Sequence, residues 1–212
     1  MFTLYSIGHS NQTFDEFIAM LKNQGINVIV DVRSVPASKY TPQFNREPLQ
    51  AALIRENIHY MWFGEEFGAR RTDSLDTDNK VNFEKAVQTE AFIRGTERVM
   101  NGLQKGYRIS LMCSEAHPLE CHRFAMVSRW FYEHGVDMQH IIHDENGHTV
   151  AVPHKTLQDE MVAEYVRKKK IPQVQPPDMF GENECTKEQQ VVLAYRQKNK
   201  EIAYQQEIEE RY

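Results

Sequence analysis

The stretch Gly25-Ile26-Asn27-Val28-Ile29-Val30-Asp31-Val32-Arg33 ends a helix, runs through a strand and closes on two opposite charges. Asn27–Val32 is almost continuously apolar, the pattern of a strand covered on both faces. Gly25 is the helix stop. Upstream, Thr13 and Glu16 have capping-box spacing, and Phe14, Phe17, Ile18 and Leu21 fall on one helical face. Thr3–Ile7 precedes them as a first strand. Downstream, Leu49, Ala52 and Leu53 mark a helix, and Ile58–Phe63 reads as a strand. Phe92, Thr96, Val99 and Leu103 share a helical face, and Tyr107–Met112 is a fourth strand. Pro118 opens a helix carrying Phe124, Val127 and Phe131. Met138–His143 is a fifth strand, with Asn146-Gly147 turning a hairpin into Thr149–Val152. A last core helix is expected from about Thr156 to Lys169. This alternation predicts an α/β fold: a mainly parallel sheet flanked by helices on both faces, with a C-terminal hairpin strand and an appended helix.

The domain is expected over residues 1–170. A Pro-containing linker follows over 171–186, then a charged helix over 187–212 with a thin apolar stripe of Val191, Tyr195, Ile202 and Ile208. That stripe suits a solvated or loosely docked helix, with oligomerisation through it as the alternative. The net charge of −5 argues against a generally basic nucleic-acid surface, although a local patch stays open. No apolar stretch approaches the roughly 20 residues that span a bilayer, so no membrane partner is expected. Met1–Tyr5 reads straight into a strand rather than as a signal peptide. The cysteines, Cys113, Cys121 and Cys185, are too few for a disulfide framework, so a reducing cytoplasm is expected.

Three polar clusters fall at strand ends: Gly8-His9-Ser10, Asp31-Val32-Arg33 and Cys113-Ser114-Glu115. Parallel strands direct their carboxyl ends to one edge, where ligands bind. The long segments Ser34–Asn45 and Gly64–Lys80 leave the same edge. Asp31 and Arg33 alternate onto one face, as a buried ion pair or as a braced anion fork. Cys121 is expected in the first turn of a helix, whose N-terminus favours a thiolate. The anion loops of rhodaneses and cysteine phosphatases join a cysteine to an arginine at one short spacing. Cys113 is too far from Arg123 for such a loop, and Cys121 too close. Cys113, His117, Cys121 and His122 also invite a metal reading, although Cys-x7-Cys-His is no standard finger spacing. His148 and His154 read as surface residues. Arg70-Arg71 reads as a solvated pair within reach of an anion.

Ile7–Asn11, Asp31-Val32-Arg33 with Pro36 and Ser38, and Cys113-Ser114-Glu115 with Pro118 and Cys121-His122-Arg123 resemble the family known as domain of unknown function 488. The likeness covers about Met1 to Lys170. It implies an α/β domain with a polar site at His9, Asp31, Arg33, Cys113, Glu115, Cys121, His122 and Arg123, and no established reaction. The expectation is an enzyme or ligand-binding domain for a small anionic or nucleotide-like molecule. His9, Cys113, Glu115, Cys121 and His122 are the candidate catalytic residues. Ser10, Asp31, Arg33 and Arg123 are the candidate ligand-binding residues. No residue is assigned to a metal and no cofactor is named. A metal-binding protein using the Cys/His cluster, and a non-catalytic nucleic-acid or protein binding module, are the alternatives.

Overall fold

The computed structural model describes residues 2–176 and 185–206. In chain order the elements are β1 (Thr3–Gly8), α1 (Phe14–Asn23), β2 (Val28–Asp31), α2 (Arg46–Arg55), β3 (His59–Trp62), α3 (Gly64–Phe67), α4 (Phe83–Ala86), α5 (Glu90–Gln104) and β4 (Ile109–Cys113). A 3-10 turn (Pro118–Glu120) and a π-helical segment (Arg123–Ser128) then lead into α6 (Arg129–Glu133), β5 (Asp137–His143), β6 (Thr149–Pro153), α7 (His154–Arg167) and α8 (Lys187–Ile202). The sheet has 6 strands in the order β3-β2-β4-β1-β5-β6. All neighbours are parallel except β5 and β6, whose antiparallel pairing follows from the tight turn at Gly147, at φ +80°.

Strand alternation sorts the core into two layers. Tyr5, Ile7, Ile29, Met112 and Ile141 face Phe17, Ile18 and Leu21 of α1 and Leu49 and Leu53 of α2. Leu4, Val28, Val30, Leu111 and Met138 face Phe92 and Val99 of α5, Phe124 and Val127 of the π-helical segment, and Leu157 and Met161 of α7. The Thr13–Glu16 capping box is formed, and Gly25 takes φ +63° just beyond α1. From β1 the chain crosses to β2 over one face. From β4 it crosses to β5 over the other. β1 and β4 are paired, with Gly8 opposite Cys113. Their carboxyl ends therefore diverge side by side, which is the position where open α/β sheets leave a crevice.

The helix expected over 187–212 spans Lys187–Ile202, and it is firmly docked rather than loosely so. Ala194 and Tyr195 are buried. Asn199 bridges the carbonyl of Val81 and the amide of Phe83, both at 2.8 Å. Residues 177–184 of the expected linker and 207–212 lie outside the described residues. No described helix is long and apolar enough to cross a membrane.

His154 corrects its reading as a surface residue, because α7 turns it beneath α8 at 1% exposure. Tyr195 donates its hydroxyl proton to Gln158 Oε1 at 3.2 Å, so its oxygen accepts from His154 Nε2 at 2.8 Å. His154 Nδ1 then accepts from His140 Nε2 at 3.0 Å, and His140 Nδ1 accepts from Ser6 Oγ at 2.6 Å. In this directional chain each ring carries one proton. A second proton on His154 would set two donors against each other, and one on His140 would force the Ser6 hydroxyl to reverse its bond. Burial, with Arg129 adding, brings His154 down to about 3, and burial holds His140 well below the usual histidine value.

A base depressed in the folded state binds fewer protons folded than unfolded, so it removes stability as pH falls below its unfolded value. Each ring should cost about 1.4 kcal/mol per pH unit below about pH 6.5. Urea unfolding at about pH 7 and about pH 5 should show a steeper acid loss in wild type than in His154→Gln. Equal slopes would contradict a neutral buried His154.

Candidate functional site

β2 ends in a brace. Asp31 and Arg33 lie two residues apart, hence on one side, and the guanidinium meets the carboxylate in a fork: Nε to Oδ1 at 2.9 Å and Nη2 to Oδ2 at 2.6 Å. Nη2 also donates to the carbonyl of Phe44 at 2.9 Å, and Tyr60 donates to Asp31 Oδ2 at 2.7 Å. Arg33 Nη1 donates to His9 Nε2 at 3.1 Å, which leaves the ring proton on Nδ1 to donate to the Ser10 carbonyl at 3.0 Å. The His9 ring stacks on Phe44 with centroids 4.4 Å apart. Burial, opposed by the Ser10 bond and reinforced by Arg33, lowers His9 to about 4. Both His9 nitrogens are engaged.

The β4 end is shaped by close approach. His9 N donates to the Cys113 carbonyl at 3.0 Å and Ser10 N to the Ser114 carbonyl at 2.8 Å, so the ladder continues past the strands. The chain then turns across Gly8. A Cβ there would lie 1.8 Å from the Glu115 carbonyl oxygen, so only glycine fits. Arg123 holds the turn from below, donating from Nη1 to the Glu115 carbonyl at 2.7 Å and from Nη2 to the Ala116 carbonyl at 3.1 Å. Arg123 is wholly buried, and its Nε has no protein partner.

Cys121 lies ahead of the helix rather than in its first turn. Its backbone is extended, at φ −132° and ψ 141°. Its carbonyl accepts from the amide of Phe124 at 3.0 Å, and its Sγ accepts from the amide of Arg123 at 3.4 Å. The sulfur therefore caps the π-helical segment, a rare form often found at functional sites.

The two cysteines meet at His122. Its Nδ1 lies 3.9 Å from Cys113 Sγ and 3.8 Å from Cys121 Sγ, and the three atoms all lie within 4.8 Å of one another. All three residues are buried. His122 Nε2 donates to the Val32 carbonyl at 3.2 Å, which turns Nδ1 towards the sulfurs. Glu115 is exposed as a residue, but its carboxyl is turned inward, with Oε2 2.9 Å from Cys121 Sγ.

The electrostatics favour a single thiolate. Burial opposes ionisation of Cys121, but the hydrogen bond from Cys113 and the charges of Arg123 and His122 outweigh it and hold this thiol well below its usual value. Cys113 is pushed up, first by that same bond and then by burial. Burial works against a charged His122, but the Cys121 thiolate raises its pKa. Burial and Cys121 raise Glu115. The point between Nδ1 and the sulfurs thus favours a cation, whether a proton or a metal ion.

Of the residues singled out from sequence, His9, Asp31 and Arg33 form one group and Cys113, Glu115, Cys121, His122 and Arg123 the other. The groups touch through the Val32 carbonyl and the Gly8–Ser10 backbone. Ser10 contributes its backbone, at φ 44°. His117 is outside the cluster, and its Nδ1 accepts from Leu119 N at the 3-10 turn. Arg71 is buried, forked onto Asp73 and donating to the Glu66 carbonyl, so it is not the solvated arginine its loop suggested. A cavity of about 830 Å³ between the 76–84 segment and α8 shares no residue with the cluster.

An open α/β sheet with a buried thiol–imidazole cluster at its switch point defines the class of protein. The family described as Domain of unknown function DUF488 matches residues 13–130, more than half of the chain, and the chain belongs to it. No curated protein and no solved structure matches at a significant level.

The geometry at Arg33 leads to a direct test. The pair is buried, with Asp31 at 0% and Arg33 at 5% side-chain exposure. Arg33→Ala leaves the carboxylate stranded and should cost about 3–5 kcal/mol. Added phosphate should leave both melting temperatures unchanged. A loss below about 1 kcal/mol, together with stabilisation of the wild type by phosphate, would restore an anion-binding role.

Proposed function

We propose that this protein is a metalloprotein, holding one ion of the zinc class through Cys113 Sγ, Cys121 Sγ and His122 Nδ1. The observation that carries the reading is the orientation of His122. Its far nitrogen is tied to the Val32 carbonyl, which aims the near lone pair at two buried sulfurs. Metal-bound histidines are commonly fixed in this way by a carbonyl or carboxylate behind the ring. Thiolate and imidazole donors suit zinc and its soft or borderline neighbours. Sulfur and nitrogen bound tetrahedrally to zinc stand about 3.5 Å apart, given bond lengths of about 2.3 and 2.0 Å. The distances of 3.8 and 3.9 Å need little adjustment.

Other features support a buried ion over an anionic substrate bound at the arginines. Arg33 is forked onto Asp31, and the Arg123 Nη groups are occupied by backbone carbonyls. Cys113, Cys121 and Cys185 are free thiols, which suits a reducing cytoplasm. The ion would tie the β4 end, the β2 end through Val32, and the helix start into one unit.

Metal content by plasma mass spectrometry after zinc loading and dialysis tests the proposal. Wild type and a Cys185→Ser control should retain about one equivalent. Cys113→Ser, Cys121→Ser and His122→Asn should retain well under half of that while keeping their far-ultraviolet circular dichroism. Stripping with a chelator should lower the melting temperature of wild type, and zinc should restore it. Retention near zero in wild type, with no thermal shift on adding zinc, would overturn the reading.

A further inference from the structure

We infer that the free edge of β3 docks an extended acidic segment of another protein, which adds to the sheet as a further strand and lays an aliphatic side chain into the groove between β3 and α5. This groove shares no residue with the cysteine–histidine cluster, so the inference is independent of the metal reading. Its first support is the backbone. β3 ends the sheet, and its neighbour is β2. The amides of His59 and Phe63 donate to the carbonyls of Asn27 and Asp31, both at 2.9 Å, so these alternate residues face β2. Tyr60 and Trp62, between them, turn their N–H and C=O groups outward. An edge of this kind is a template for another strand.

The second support is the groove. His59 and Met61 stand in register with Val28 and Val30, so all four share the face of the sheet that α5 covers. The cover is incomplete at the edge. Met61 is 40% exposed, and Tyr107, set edge-on to the His59 ring, is 41% exposed. Gly102 of α5 has no side chain to fill the facing wall. The result is a groove of about 340 Å³ floored by Val28, Val30 and Ile109. An aliphatic side chain projecting from an added strand would lie along it.

The third support is charge, and it selects the occupant. The groove is rimmed by His59, Arg98 and Lys105 and lined by no acid, in a chain whose net charge is −5. Glu66 pairs with Arg98, whose guanidinium lies 4.0 Å over the Phe63 ring. Lys105 pairs with no acid among the described residues. A second copy paired antiparallel at this edge would bring the α5 cations of both copies onto one face, where they repel. An acidic strand meets attraction instead. Arg98 and Lys105 stand two helical turns apart, about 10 Å along α5. Acids four residues apart on one face of an extended peptide span about 13 Å. Side-chain reach covers the difference, so the matching pattern is acid, aliphatic, acid at alternate positions.

Amide chemical shifts of the nitrogen-15-labelled full chain, titrated with capped heptapeptides, test this. The probe carries glutamate, isoleucine and glutamate at alternate positions with threonine between them. It should shift Tyr60, Trp62 and Lys105 in a saturable way, and the peptide with both glutamates replaced by lysine should not. Lys105→Glu, a change at an exposed side chain, should weaken the acidic probe about fivefold or more. One of the two peptides in which a single glutamate is replaced by lysine should restore binding to that variant. No saturable shift at Tyr60 and Trp62 with millimolar acidic probe would overturn the inference. Equal responses to the acidic and lysine peptides, or equal affinity of wild type and Lys105→Glu, would overturn it as well. Shifts at Tyr60 and Trp62 that follow protein concentration with no peptide present would assign the edge to a second copy instead.

Discussion

Arg123 places a full positive charge inside the protein with only two backbone carbonyls on its terminal nitrogens and none on Nε. A buried cation so weakly compensated demands negative charge nearby, because its desolvation alone costs several kcal/mol. Cys121, two residues earlier, is drawn towards the thiolate form by this charge. Much of the site follows from this one requirement. The guanidinium pins the Glu115–Ala116 turn, the turn crosses Gly8 with no room for a Cβ, and the crossing brings Cys113 and Cys121 to the same imidazole.

The ladder between β1 and β4 makes the arrangement rigid. Extension of the pairing to His9 and Ser10 fixes the two strand ends at one register, and the Asp31–Arg33–His9–Phe44 brace closes the neighbouring end of β2. Chemistry is thereby divided between two adjacent clusters. One is saturated by protein groups. The other presents donor atoms that converge on a point. The reading of the chain as a metalloprotein grows from that contrast.

Much of this was legible in the sequence. The strand and helix periods, the Thr13–Glu16 box and the three polar tripeptides are local signals, and they placed the sheet and the edge at which the polar clusters lie. The gathering of His9, Arg33, Cys113, Glu115 and His122 at that edge followed from topology alone. What stayed hidden depends on contacts between distant segments. His154 is polar and follows a hairpin, which reads as surface until Tyr195 of α8 covers it. Arg71 reads as solvated because its partners Glu66 and Asp73 are not apparent from its loop position. The thin stripe of α8 understated its docking, because Tyr195 and Asn199 add polar bonds to the apolar packing of Val191, Ala194, Tyr195 and Ile202. The ligand geometry was hidden for the same reason: a Cys-x7-Cys-His spacing matches no short finger, and the orienting partner of His122 is a backbone carbonyl, which leaves no mark in the sequence.

The most direct measurement of the central claim is zinc K-edge X-ray absorption of the zinc-loaded protein in solution. It reports donor identity and distance at the ion itself. The account predicts two sulfur neighbours at about 2.3 Å and nitrogen or oxygen neighbours at about 2.0 Å, with one sulfur lost in Cys113→Ser and in Cys121→Ser. A shell of light atoms alone, unchanged in those variants, would place the ion elsewhere and contradict it.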